Sequence, residues 1–274
     1  MSSQVDDSQL FYSQGHVLRE LGHYEGAIAK YDRALAVQPQ DYKAWCGRGY
    51  ALESAGQYEE AAKSFERAIA VEPKYAPAWQ GKGIALAKQT HYEDALSSFQ
   101  QALRLQPDDY RAWQNHGKAL ISLGHYKEAI ASFDKVLQIK SDSYKAWYNK
   151  AVAFTCLHRF KEALASLESA LTIKPTCHYA WNYQGMVLAK LERFEEALAS
   201  FDKSLKIKSR NANAWYGRAC CYALQNRVEL AIENLRKAIE TSPYLCRVMA
   251  NTDANFNRIR QDRQFQALVA DEPC

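Results

Sequence analysis

Six tryptophans stand at positions 45, 79, 113, 147, 181 and 215, each directly after an alanine, and every neighbouring pair is 34 residues apart. A fixed period of this length rules out a single closed core, because it marks one supersecondary unit repeated along the chain. With boundaries at Ser8, Tyr42, Ala76, Tyr110, Tyr144, His178 and Ala212, each tryptophan falls at repeat position 4, Phe11 takes that place in the first copy, and seven copies align without a gap.

The remaining fixed positions give two helices per copy. Position 8 is Gly15, Gly49, Gly83, Gly117, Ala151, Gly185 and Ala219, and position 11 is Leu or an aromatic, from Leu18 to Tyr222. Positions 4, 8 and 11 share one helical face, which reads as a large ring, a gap for a close neighbour, and a second apolar group. A second face follows at positions 17, 20, 24 and 27. Position 20 is alanine throughout, from Ala27 to Ala231, and position 24 is Tyr31, Phe65, Phe99, Phe133, Leu167, Phe201 and Leu235. That spacing is again one helical stripe. Pro39, Pro73, Pro107, Pro175 and Pro243 at position 32 are placed to end the second helix. Asp41, Asp109, Ser143 and Asn211 stand where the next helix needs an N-cap. Ser141 and Ser209 replace the proline in the other two copies, and softer junctions are expected there.

This W, L-G, Y, A, F, P pattern over 34 residues resembles the tetratricopeptide repeat. The resemblance covers residues 8–245 and implies an all-α fold, a right-handed α-solenoid (superhelix) of antiparallel helix pairs. The expected organisation is a tail at 1–7, repeats at 8–41, 42–75, 76–109, 110–143, 144–177, 178–211 and 212–245, and capping helices of a bacterial type at 246–274, where Phe256, Ile259, Phe265 and Leu268 supply apolar groups. Position 7 departs from the pattern, with Gln14, Arg48, Lys82, His116, Lys150, Gln184 and Arg218. A long basic side chain there is expected to lay its stem on the socket and lift its head to water. Because each repeat is covered only by its neighbours, the tryptophan reads as the anchor of every interface. An aromatic of that size buries about 150–250 Å², an upper estimate of roughly 4–6 kcal/mol. Trp113→Ala is therefore expected to remove about 3–5 kcal/mol.

Composition narrows the function. The chain is 47% hydrophobic and 24% charged with a net charge of +4, a folded composition too weakly basic to announce nucleic acid. Residues 1–140 carry 16 Lys and Arg against 17 Asp and Glu, and residues 141–274 carry 19 against 14, so the second half is mildly basic. No run reaches the roughly 18 apolar residues of a membrane span, and the opening MSSQVDDSQL lacks the pattern of a secretory leader, so a cytoplasmic location is expected. Cysteines at 46, 156, 177, 220, 221, 246 and 274 share no repeat position and form no C-x-x-C pair, and they read as reduced thiols. Vicinal Cys220 and Cys221 leave a redox role open.

No phosphate-binding loop, G-x-S-x-G or H-E-x-x-H occurs. His23, His91 and His125 all occupy position 16, in the turn, where they cannot converge on one ion, and the glutamates beside each turn read as helix N-terminal charges. A non-enzymatic protein without cofactor or metal is expected.

Function should then lie where copies differ. The resemblance implies a concave face formed by first helices at positions 2, 5, 6, 9, 12 and 13. There the chain offers Lys43, then Arg111, Gln114, Asn115 and Lys118, then Lys145, Tyr148 and Asn149, then Tyr179, Asn182 and Tyr183, then Asn213 and Tyr216. Amide and cationic groups hold a peptide backbone or carboxylate, and tyrosines add contact area at low entropic cost. The expected activity is an interaction scaffold, an assembly factor or adaptor, binding an acidic or polar extended peptide. Of the residues by which one subfamily holds the acidic tails of chaperones, only Asn115 and Lys145 are present, and an asparagine ladder at position 6 is limited to Asn115 and Asn149. The alternatives are a single-stranded RNA binder that stacks bases on Tyr148, Tyr183 and Tyr216, and self-association through an exposed end.

Overall fold

A computed structural model describes residues 2–270, which form helices and short connections, with no strand among the described residues. The chain divides into two compact units, Met1–Ser141 and Asp142–Cys274.

The first unit holds α1 (Ser2–Glu20), α2 (Tyr24–Val37), α3 (Tyr42–Ser54), α4 (Tyr58–Val71), α5 (Ala76–Lys88), α6 (Tyr92–Leu105), α7 (Tyr110–Ser122) and α8 (Tyr126–Ile139). Each helix packs on the next, so the unit is a solenoid of stacked helix pairs. Its first helix begins at Ser2, so residues 2–7, read from sequence as part of a tail at 1–7, are helical, while Met1 lies outside the described residues. The second unit holds α9 (Tyr144–Cys156), α10 (Phe160–Ile173), α11 (His178–Lys190), α12 (Phe194–Ile207), α13 (Ala212–Leu224) and α14 (Val228–Thr241), stacked in the same way. It ends in α15 (Pro243–Thr252), a 3-10 turn (Ala254–Phe256) and α16 (Arg263–Ala270). Pro243 differs from the other position-32 prolines, since it is the first residue of α15 and starts a helix one residue after α14 closes. Phe256, Ile259 and Phe265 bury themselves against Ile232, Leu235 and Ile239 of α14, with Leu268 packed at the margin.

The gap at position 8 has a specific occupant. The position-24 ring of the same repeat fills it: Phe65 against Gly49, Phe99 against Gly83, Phe133 against Gly117, Phe201 against Gly185. A Cβ on Gly49 would lie 2.7 Å from Phe65 Cε1, closer than real carbons approach. Position 6 of the following repeat closes the other side, with Gly47 against Tyr31, Gly81 against Phe65 and Gly217 against Phe201. Tyr31, Phe65, Phe99, Phe133 and Phe201 are among the largest fully buried side chains. Two repeats carry the smaller Leu167 and Leu235 at position 24, and these have the larger Ala151 and Ala219 at position 8.

The tryptophans are half-buried, so the position-24 rings form the enclosed centre of each interface while Trp45 and Trp215 pack against the core clusters from the margin. The tryptophans also act at the junctions. The indole Nε1 of Trp45, Trp79, Trp113 and Trp181 donates to the carbonyl oxygen of Pro39, Pro73, Pro107 and Pro175, at 2.9, 2.9, 2.8 and 2.7 Å. Trp215 reaches the Ser209 carbonyl at 3.2 Å. Each indole thus ties the start of one repeat to the loop that leads into it, and the proline keeps that carbonyl out of the helix.

Capping follows the sequence at three of the four expected sites. Asp41 accepts from the amides of Lys43 and Ala44, Asp109 from those of Arg111 and Ala112, and Ser143 from that of Ala146. Asn211 does not cap α13, because its Nδ2 donates to Ser204 Oγ at 2.9 Å.

Position 7 is also corrected. Its head groups bind protein: Arg48 pairs with Asp32 at 2.7 Å and donates to Ser64 Oγ, Lys82 pairs with Glu66 at 2.8 Å, and Arg218 pairs with Asp202 and donates to Asn234. Each of these ion pairs runs to position 25 of the preceding repeat, adding a polar stitch to the apolar interface. Position 15, in the turn between the helices of each pair, has positive φ in all seven copies. Glycine supplies it at Gly22, Gly56 and Gly124, whereas Thr90, His158, Glu192 and Asn226 adopt it with side chains, at φ 66°, 57°, 58° and 60°.

Candidate binding surface

In the first unit the candidate residues lie on α3 and α7. Lys43 and Arg111 follow capping aspartates, so their backbone amides are held at 2.9 and 2.8 Å while their side chains are exposed. Each cation folds over the tyrosine beside it, Lys43 over Tyr42 and Arg111 over Tyr110, and Arg111 Nε donates to the Tyr110 hydroxyl at 3.3 Å. That bond and the guanidinium charge hold the Tyr110 hydroxyl below the usual tyrosine range. Gln114 and Asn115 are half-buried. Asn115 and the exposed Lys118 border a shallow cavity of about 240 Å³ with Ile84, Lys88, Tyr92 and Ser122. Lys43 lies two repeats from the α7 group and does not join it.

In the second unit the residues of α9 and α11 converge. Tyr148 meets Tyr179 and Tyr183 edge to face, with ring centroids 4.9 and 5.6 Å apart. Burial pushes the Tyr148 hydroxyl up to about 12, and burial also raises that of Tyr183. Beside this cluster, Lys174 Nζ donates to the Tyr144 hydroxyl at 3.3 Å and lies 4.6 Å from that ring's centroid. Hydrogen bonds from Tyr179 and Lys174, the former dominant, hold the Tyr144 hydroxyl below its usual range. Lys145 is exposed and Asn149 half-buried on the same helix.

Two residues are less open than the repeat pattern suggests. Asn182 is buried, with Nδ2 on Met186 Sδ at 3.7 Å and Oδ1 without a partner. Tyr216 is buried, its ring edge to face with Phe256 and its hydroxyl donating to Asp253 Oδ2 at 2.9 Å. It faces the C-terminal segment, which the period does not describe.

Six cysteines among the described residues are free; Cys156 is exposed and the others are buried, while Cys274 lies outside the described residues. Burial pushes the Cys221 thiol up to about 12 and raises that of Cys220 well above its usual value, so both stay protonated. Among the described residues, no three His, Cys, Asp or Glu side chains gather as a metal site, and no helix is long and apolar enough to cross a membrane.

The tetratricopeptide repeat family model matches residues 12–78, 81–144, 115–176, 157–211 and 184–245, well over half of the chain. The chain belongs to the tetratricopeptide repeat family. No curated protein matches it by sequence. Among solved structures, a tetratricopeptide repeat protein from Parabacteroides merdae shares 17% identity at a TM-score of 0.71, covering 97% of this chain and 100% of that one. YrrB, described as a tetratricopeptide repeat protein with an unusual peptide-binding site, shares 27% identity at a TM-score of 0.54 over 69% of this chain and 98% of its own. MamA shares 21% at a TM-score of 0.58 over 64% and 94%.

Tyr144 and Lys174 were missed as candidates for a reason internal to the repeat. Tyr144 stands at position 1, where Tyr42 and Tyr110 also occur, so it reads as architecture, and Lys174 comes from a second helix. Only the fold brings them to the α9–α11 cluster.

Proposed function

We propose that this chain is a non-enzymatic interaction scaffold that holds an extended segment of a partner protein on its first-helix face, with the α9–α11 tyrosine cluster as the principal contact. The observation that carries this reading is the meeting of Tyr148 with Tyr179 and Tyr183 beside the Lys174–Tyr144 hydrogen bond. Lys174 Nζ donates to the Tyr144 hydroxyl at 3.3 Å, which brings a cation to the edge of the ring cluster. A cationic edge made by Lys145 and Lys174 suits a carboxylate or a peptide carbonyl, while Tyr148 and Tyr183 offer rigid area for the adjoining side chain. The edge-to-face packing of these rings favours side chains over flat bases, which need an open ring face. The peptide-binding description of YrrB supports the same class of ligand. The family's members act through such contacts, but fold alone does not name a partner.

A photo-reactive residue in place of Lys145 should trap a partner chain in the native cell. Tyr148→Ala with Asn149→Ala should abolish that capture while the helical circular dichroism is unchanged. Undiminished capture by the folded double variant would place the contact elsewhere.

A further inference from the structure

The first-helix face of the second unit is walled off at its far end. There α11 and α13 meet α15 and the 3-10 turn around a cavity of about 450 Å³. Met186, Phe201, Leu224 and Met249 give it apolar walls, and Gly217 keeps one side low. Both methionines are substantially exposed, at 47% and 40%, so flexible thioethers stand at the cavity with room to move.

One group breaks this apolar lining. The Asp253 carboxylate is held by three donors: Oδ2 accepts from the Tyr216 hydroxyl at 2.9 Å and from the Cys220 thiol at 3.7 Å, and Oδ1 from the Asn255 amide at 2.9 Å. All three donors are neutral, so they orient the carboxylate without cancelling its charge. Among the described residues no ion pair reaches it; the Arg260 guanidinium is engaged by the carbonyl oxygens of Asn251 and Asp253 and by Asn257 Oδ1. Lys190 also borders the cavity, but it is an exposed side chain with no hydrogen bond or ion pair among the described residues. A carboxylate keeps a lone pair beyond the three in use. An apolar cavity with one fixed, uncompensated anion is complementary to a long aliphatic chain that ends in a cation.

We propose that this cavity receives an arginine side chain of the bound partner, with its methylene stem between Met186 and Met249 and its guanidinium on Asp253. Arginine fits better than lysine because its planar fork is weakly hydrated and matches a carboxylate already oriented by other donors. The proposal rests on the peptide-scaffold reading, since Asn213, Tyr216 and Cys220 at this cavity belong to the first-helix face of α13. It adds a basic residue to the partner, beside the acidic or polar segment that Lys145 and Lys174 favour.

The chain has three methionines, and two of them border the cavity. Methyl resonances of Met186 and Met249 in the full chain therefore report on occupancy. Titration with n-pentylguanidinium should shift both saturably, with n-pentanol and pentanoate weaker. Asp253→Asn, which keeps an amide oxygen for Tyr216 or Asn255, should weaken the guanidinium by about tenfold or more. Met186→Lys, at an exposed position, should do the same by placing a rival cation at the cavity. Equal binding of pentanol, preference for pentanoate, or no shift with any probe would overturn the proposal. Methionine shifts that persist when the Tyr148→Ala, Asn149→Ala variant still captures its partner would sink the scaffold contact and leave the cavity standing; the reverse pattern would do the opposite.

Discussion

Gly49 and the Phe65 ring occupy one shared space: the ring lies where a Cβ on Gly49 would be, 2.7 Å from Cε1. The ring is fully buried and cannot swing aside. Gly49→Ala gains helix propensity but overpacks the interface, for an expected net loss of about 1–2 kcal/mol. Combining it with Phe65→Leu recreates the natural Ala151 and Leu167 pairing, so the double variant should be less destabilised than the two single losses added together. Thermal melts of the two single variants and the double decide this, and strict additivity would refute the shared-space account.

The indole of Trp113 contributes a hydrogen bond as well as area. Trp113→Phe keeps an aromatic but loses the donor to the Pro107 carbonyl, for an expected loss of about 1 kcal/mol. Phe99→Ala, which empties a buried site, should lose about 3–5 kcal/mol. If Trp113→Phe proves as harmful as Phe99→Ala, the ranking of ring over indole is wrong.

Thr90 adopts φ 66° in the turn where three other repeats use glycine, and it is exposed. Left-handed backbone is unfavourable for a β-branched residue by about 1–2 kcal/mol. Thr90→Gly should therefore raise stability by about 1 kcal/mol after the extra entropy of glycine in the unfolded chain is allowed for. A chemical-denaturation midpoint that falls would count against stored strain at this turn.

His116 bonds to Ser132 Oγ at 3.0 Å, and burial holds its pKa below the ordinary 6.5. As pH falls below 6.5 the unfolded chain takes up a proton at His116 before the folded chain does, so stability declines with acidification and levels off below the folded pKa. Gln184 fills the same repeat position and bonds Ser200 in the same way, so His116→Gln should fold normally and lose that part of the acid sensitivity. Matched melts of parent and variant across this range test the sign.

The helix pairs were legible in the sequence because seven copies repeat each packing position, so alanine at position 20 or a ring at position 24 is visible as a column. What fills the small-residue gap was not, because Gly49 and Phe65 are 16 residues apart and their contact exists only after the pair has folded. The Gly-with-ring and Ala-with-Leu pairing was nevertheless present as a signal. Position 15 stayed hidden since Thr90, His158, Glu192 and Asn226 share no chemistry with Gly22, only a backbone angle. Tyr216 reads as open by repeat position and is closed by residues beyond the period, whose partner Asp253 has no counterpart in other copies.

The indole contacts with Pro39, Pro73, Pro107, Pro175 and Ser209 each sit at a different junction along the chain. Fluorescence of variants that retain one indole apiece would therefore act as a row of local gauges. Progressive denaturation could be followed joint by joint, showing which end of each unit loosens first.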